Sequence, residues 1–539
     1  MAGLWTMIRL ILRRDRVKLP LWIIGLVLTL VAMIPLLRDV YGDAASLAGV
    51  YAGLSSNPAG LFMTGPMDGP TFSAFMTIET LLWWGLAIAF LNTLLIVRHT
   101  RHNEEIGAQE LLLSGRAHRS SGLAAALIVA AGVNALIVLG IGVGVQLVGA
   151  PWNTSQTWLY ALSLGIFGLV WASIATVIAQ LVESSRSANG ILAGLVGSAF
   201  VVRGLGDFLG STDTAGLHQP AWISNLSPFG WMQATRPLTV NEWSPLLISA
   251  CVVIAMTILG FILLARRDVG AGLMSSRKGK MRASRLRHTS LGLTLYLQKN
   301  IFIGWLVGVL VMVGTIGALV PQMSDVYGGS ESMRQIIESI GGTGALIPSF
   351  LSAMMAIICL MVFAYVIHGL GKLRSEESSG YLESLLATRL SRRKWFGLHA
   401  AVVLAGGLIM LVLTGLILAL CVNGLSNFSV DTRQYLLAGL SYAPVMLAFA
   451  GLYLLLFGLA PRIAAGVTWF YFGFVAFALW LGPIVQLNQS IMNLSIMEHV
   501  AAAPAESIVF MPLAIILAIA TGLIAIGLIT FRSRNITSD

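Results

Sequence analysis

The chain reads as an all-α polytopic membrane protein, with about twelve transmembrane helices arranged as two parallel six-helix repeats. Three observations predict this. Mean hydropathy is +0.85, with 57% hydrophobic and 10% charged residues, whereas ordinary soluble domains carry about 25% charged residues. Twelve apolar stretches are long enough to cross a bilayer, which takes roughly 20 residues each. The stretch Arg101–Arg119, RHNEEIGAQELLLSGRAHR, recurs without a gap as Arg374–Arg392, RSEESSGYLESLLATRLSR, at a constant offset of 273 residues. A repeat of this kind sets the architecture before any local reading does.

The spans fall at about 19–37, 72–97, 122–148, 158–182, 188–206 and 245–264, then 301–320, 346–370, 398–422, 436–459, 463–485 and 508–531. They must be helices, because lipid offers the backbone no hydrogen-bond partners. Lys and Arg decide orientation. With the N-terminus inside, only Arg38, Arg236, Arg334 and Arg433 face outward, in loops where acidic residues outnumber them. The net charge of +10 is therefore a topology signal and not a nucleic-acid footprint. Residues 1–18 mix Trp5, Ile8 and Ile11 with Arg9, Arg13 and Arg16 and suit a helix at the inner interface. Thr289–Lys299 is its weaker counterpart. The expected layout is a first six-span half over 1–265, a basic cytoplasmic linker over 266–288 and a second half over 289–539. Six spans per half insert both halves the same way up, which implies a twofold pseudo-axis along the membrane normal with the pathway between the halves. Cys251, Cys359 and Cys421 lie in apolar runs and read as small buried residues.

The repeated inner motif is Arg-x-x-Glu-x-x-Gly-x-x-Glu-x-Leu-Leu-x-x-Arg-x-x-Arg, closing on Arg119 and Arg392. Arg101, Glu104, Gly107, Glu110, Leu112, Leu113 and Arg116 fill its first copy, and Arg374, Glu377, Gly380, Glu383, Leu385, Leu386 and Arg389 its second. On a continuous helix, spacing of three aligns Glu104, Gly107 and Glu110 in one row, and Glu377, Gly380 and Glu383 in another. A charged row beside a Leu-Leu edge suits docking to a protein surface. Its occurrence at two equivalent places favours docking over a solvated interfacial helix.

Other chemistry is sparse. Gly369-Leu370-Gly371-Lys372-Leu373 lacks the glycine spacing and hydroxyl of a phosphate loop, and no zinc, redox-dithiol or serine-hydrolase motif appears. A pump built on this chain must draw energy from a partner or an ion gradient. Glu79, beside Trp83 and Trp84 in the second span, is an intramembrane carboxylate. It is either a cavity-lining substrate or proton site or a buried, hydrogen-bonded structural residue. The same offset places Ser352 in the second half. Arg203 and Asp207, four apart at the outer end of the fifth span, suit an ion pair that pins the outer segments or touches substrate. His368 reads as interfacial.

With these motifs in place, the chain resembles the permease of a type 2 ABC exporter, in the fused two-half form of actinobacterial polyketide-antibiotic exporters and multidrug efflux permeases. The resemblance spans nearly the whole chain. It rests on the paired Glu-rich motif, on Arg266-Arg267-Asp268-Val269-Gly270-Ala271-Gly272-Leu273, on Asn225-Leu226-Ser227-Pro228-Phe229-Gly230-Trp231 and on Arg203-Gly204-Leu205-Gly206-Asp207. It implies that the inner motifs form coupling helices seated in a dimer of a separately encoded ABC ATPase. The ATPase would carry ATP and Mg, with no cofactor or metal on this chain. It also implies outer segments that gate the exit, hydrophobic small-molecule cargo and the plasma membrane of a bacterium, with both termini cytoplasmic. The second half matches neither Arg203…Asp207 nor Pro228-Phe229-Gly230, so the outer gate is expected to be asymmetric. Two other readings compete. A proton-coupled secondary transporter with 6+6 repeats also gives twelve spans, but its loop motif is absent and membrane charges are few. A polytopic enzyme would need a cluster of His, Asp or Ser in the outer loops, which is missing.

Overall fold

The structure is a computed structural model. It describes residues 3–535 apart from 56–57, 116–117, 213–216, 275–283, 285–287, 328–345, 389, 426–428, 481 and 483–486. Among the described residues, twelve helices are long and apolar enough to cross a membrane, so the all-α polytopic reading stands. The chain divides into two compact units, Met1–Gly279 and Lys280–Asp539, and each is described by itself.

The first unit runs α1 (Leu4–Arg14), α2 (Lys18–Tyr41), α3 (Ala44–Ser55), α4 (Pro58–Thr64), α5 (Phe72–His99), α6 (Arg101–Glu105), α7 (Ala108–Leu113), α8 (Ser121–Leu147), α9 (Thr154–Leu181), α10 (Ser185–Phe208), a two-stranded hairpin β1–β2 (Ser211–Thr212 and His218–Gln219), α11 (Pro228–Ala234) and α12 (Ser244–Arg266). The spans start where the sequence supplies caps. Thr71 accepts from the Ala74 amide, Ser184 accepts from the Ser187 amide, and Asn153 and Gln156 form a reciprocal capping box. Helix α9 is the centre of the unit and packs on α5, α8 and α12. Helix α1 lays Met7, Ile8 and Ile11 inward against α8 and leaves Trp5, Arg9, Leu12 and Arg13 exposed, as an interfacial helix requires.

The second unit runs α13 (Ser290–Tyr327), α14 (Leu346–Ser378), α15 (Tyr381–Leu386), α16 (Arg392–Leu425), α17 (Thr432–Ser441), α18 (Ala443–Leu459), α19 (Pro461–Trp480), α20 (Gln489–Met492) and α21 (Phe510–Ser533). Its most intimate pair is α18 with α21. A Cβ on Gly451 would stand 2.8 Å from the Ala520 carbonyl oxygen, and one on Gly527 would stand 2.6 Å from that of Leu454. Small residues here let two backbones approach where lipid supplies no hydrophobic driving force. The weaker counterpart of α1 is corrected. Residues 290–299 are the opening turns of α13 itself. A separate helix needs a break such as Asp15–Val17, where the Asp15 carboxylate is drawn off to Arg98 and His99. Gln298 instead donates to the Gly369 carbonyl at 2.9 Å and holds the extension on α14.

Candidate functional site

The repeated inner motif folds alike in both units, but not as one helix. Gly107 adopts φ 73°, ψ 0° and Gly380 φ 73°, ψ −2°. This left-handed geometry costs a residue with a Cβ roughly 1–2 kcal/mol. No atom stands within 4 Å of a Cβ built on either glycine, so the requirement is conformational and not steric. Each glycine turns the chain from the end of a span into a short helix, α7 or α15. The expected continuous rows are thus corrected: Glu104 and Glu377 precede the break, and Glu110 and Glu383 follow it. Replacing Gly107 with Ala should lower local opening free energy by about 1 kcal/mol. Amide exchange over residues 101–113 should accelerate roughly fivefold by the usual conversion, and an unchanged rate would remove the conformational argument.

In the first unit Glu104 is 5% exposed and gripped from two sides. Arg101, on the same turn, donates to Oε2 at 2.7 Å. Arg267, just past α12, reaches both oxygens, Nη1 to Oε2 at 2.7 Å and Nη2 to Oε1 at 2.5 Å. Arg267 Nε also donates to Gln180 Oε1 at 2.8 Å, near the inner end of α9. Arg101 donates further to the carbonyls of Glu183, Gly270 and Ala271. Gly272 lets this segment lie against residues 181–183, because a Cβ there would stand 2.8 Å from the Val182 carbonyl carbon. Glu105 accepts from the backbone and hydroxyl of Ser185 at the start of α10. Two more ties reach α1: Arg14 donates to Asn103 Oδ1 at 2.6 Å, and the Asp15 carboxylate pairs with Arg98 and buried His99.

In the second unit Glu377 is fully buried. Arg534, just past α21, donates to its Oε1 at 2.6 Å, and Arg374 pairs with Oε2 at 3.5 Å. The Arg534 guanidinium lies over the rings of Phe457 and Phe531, 5.3 and 5.6 Å from their centroids. Neighbouring Glu376 is met by Trp395 and His399 of α16.

What remains exposed is the far side of the short helices. Gln109 and Leu382 point inward, while Glu110, Leu111 (78% exposed), Tyr381 (66% exposed), Glu383 and Ser384 point outward. Leu112, Leu385 and Leu386 are half-buried against the cores of their units. Arg116 and Arg389 lie outside the described residues, as does the side chain of Leu113. Sequence reasoning missed the roles of Arg267, Gln180 and Arg534. The available signal was an arginine soon after the last span of each half.

At the other end of the first unit, Arg203 and Asp207 do meet, at 2.9 Å and with neither side chain exposed. Arg203 also donates to the Met63 carbonyl at 3.2 Å, and Asp207 accepts from Gln233 at 3.2 Å and Ser224 at 3.3 Å. The Asn225…Trp231 motif is a capped helix start. Ser227 accepts from the Phe229 amide, Pro228 takes the first turn, and Phe229 is buried against Phe167 and Phe200. Gly230 is obligatory, because a Cβ there would fall on the Ser224 carbonyl. The second unit puts its short helix α20 before its 3-10 turn, Ile496–His499, which reverses the order of Trp222–Leu226 and α11.

Glu79 is half-buried on α5, with no hydrogen bond or ion pair recorded among the described residues, four residues from exposed Trp83. Trp84 turns away and donates to the Leu26 carbonyl at 2.8 Å. Ser352 is buried and accepts from the Ala505 amide at 2.9 Å, so the two positions are unlike. His368 is exposed and accepts from Trp305 at 3.1 Å. Among the described residues no cluster of three metal-ligating side chains occurs.

The family model described as multidrug efflux system permease Rv1217c, C-terminal domain, matches residues 4–264 and 288–532. The multidrug efflux system permease protein Rv1217c of Mycobacterium tuberculosis (strain ATCC 25618 / H37Rv) is 30% identical over 538 residues, which cover 99% of this chain and 95% of that protein.

Proposed function

The chain belongs to this multidrug efflux permease family, and from that premise we propose that it is the membrane-spanning permease of an ATP-driven exporter. It moves hydrophobic or amphipathic compounds, antibiotics and drugs among them, by alternating access. A dimer of a separately encoded ABC ATPase, with its own ATP and Mg, powers the cycle. Both termini face the cytoplasm of a bacterium, an orientation supported by the outward scarcity of Lys and Arg. One observation carries the reading: two short helices, α7 and α15, are set off by the same left-handed glycine and present a glutamate at the same exposed position, Glu110 and Glu383. A dimeric ATPase offers two equivalent clefts and needs two equivalent plugs.

The test is to purify the chain with the ATPase that accompanies it and measure ATP hydrolysis against added hydrophobic cations. Glu110→Lys with Glu383→Lys is expected to release the ATPase and abolish export while expression stays near normal, because both side chains are exposed. Export that survives in the double variant and collapses with the proton gradient would overturn the proposal in favour of a secondary transporter, with Glu79 as the proton site.

A further inference from the structure

Glu104 and Glu377 are not part of the exposed face, and their partners indicate a second job for the inner loops. Each carboxylate is held by an arginine that follows the last span of the same unit: Arg267, 163 residues from Glu104, and Arg534, 157 residues from Glu377. These arginines obey no common repeat offset, yet each unit arrives at the same contact. Arg267 is 2% exposed and grips both oxygens of Glu104. A buried, doubly hydrogen-bonded guanidinium–carboxylate pair has one geometry and little freedom to slide. In the second unit the aromatic rings of Phe457 and Phe531 fix the guanidinium instead. A further tie in the first unit, Arg267 to Gln180, extends the grip to α9.

We propose that Arg267 and Arg534 are positioning residues for coupling, each clamping an inner loop to the last span of its own half. This rests on the reading that α7 and α15 receive force from an ATPase. Displacement of α7 then reaches α12 and the inner end of α9 directly, in addition to α5 and α8, which the loop joins through the backbone. The same clamp carries motion of α15 to α21. Without it, the segment just before the glycine loses its tie to the last span, and the push reaches only the two spans that the loop joins.

The experiment uses the permease–ATPase complex in vesicles, in a background with Cys251, Cys359 and Cys421 replaced. The readout is compound moved per ATP hydrolysed, which a purely structural contact would leave unchanged in protein that still folds and binds the ATPase. Glu104→Cys with Arg267→Cys is expected to lower this ratio by roughly twofold to thirtyfold, the range such contacts contribute to coupling between sites. A short reducible thiol-to-thiol linker should restore it, and reduction should remove the gain. A wild-type ratio in the unlinked pair, or a completed link without recovery, overturns the clamp. If the cysteine pair does not fold, Arg267→Lys serves instead. It keeps the charge but loses the fork, so a lowered ratio is expected and an unchanged one overturns the proposal. Wild-type protein run without nucleotide separates the two hypotheses. Nucleotide-independent export there refutes the ATPase reading, whereas a failure seen only in the variants refutes the clamp.

Discussion

Asp207→Arg is expected to abolish export and to lower the thermal stability of the purified protein. The pair it breaks is fully buried, and Asp207 gathers Arg203, Gln233 and Ser224 from α10, α11 and the turn between them. Arg203 in turn holds the end of α4 through the Met63 carbonyl and lies 4.5 Å from the centroid of the Phe200 ring. An exposed ion pair contributes only about 0.2–1 kcal/mol. Removing one member of a buried pair strands the other charge and costs about 3–5 kcal/mol, a large share of a typical stability of about 5–15 kcal/mol. The substitution goes further and buries two guanidiniums side by side. Adding Arg203→Asp should partly restore both export and stability, because the opposite charges meet again with their hydrogen-bond partners reversed. Asp207→Asn should fall between, since it keeps the shape but not the charge. Losses in the double variant that simply add would show that the two residues act independently.

The second large effect is expected from Glu104→Lys combined with Glu377→Lys. Helical spacing alone places these residues in an exposed row, where a reversed charge would disturb docking and nothing else. Burial changes the expected result. Lysine at 104 would face Arg101 and Arg267, and lysine at 377 would face Arg374 and Arg534, with no carboxylate left between them. Each site then loses about 3–5 kcal/mol. Export should vanish together with a clear drop in the amount of folded protein in the membrane. The contrast with Glu110→Lys and Glu383→Lys is the measurement: equal expression of the two double variants would show that Glu104 and Glu377 are not structural anchors. Either single substitution should hurt less than the pair.

Much of this protein was legible in its sequence. All twelve spans fall where the apolar stretches put them, because a helix in lipid needs only a local run of apolar residues and satisfies its own backbone. The repeated glycine was visible as a repeat, and the Ser227-Pro228 cap as a motif. Arg203 and Asp207 could be paired because helical spacing brings them together on one element. Less was legible where a helix was assumed to continue. The left-handed turn at Gly107 and Gly380 leaves no mark on a pattern read at uniform spacing, and neither does the continuity of α13 through residues 290–299.

The sequence by itself therefore determined what depends on neighbours along the chain: the spans, the charge asymmetry of their loops and the two matched inner motifs. Only the tertiary structure decided which of the matched glutamates face outward and which are anchors. That outcome turns on Arg267 and Arg534. They come from the far end of each unit at unequal offsets and fall beside the loop because the last span packs along α9 or α18. A carboxylate beside them is desolvated and paired, and one beyond the glycine break stays in water. No periodicity within the motif carries that difference.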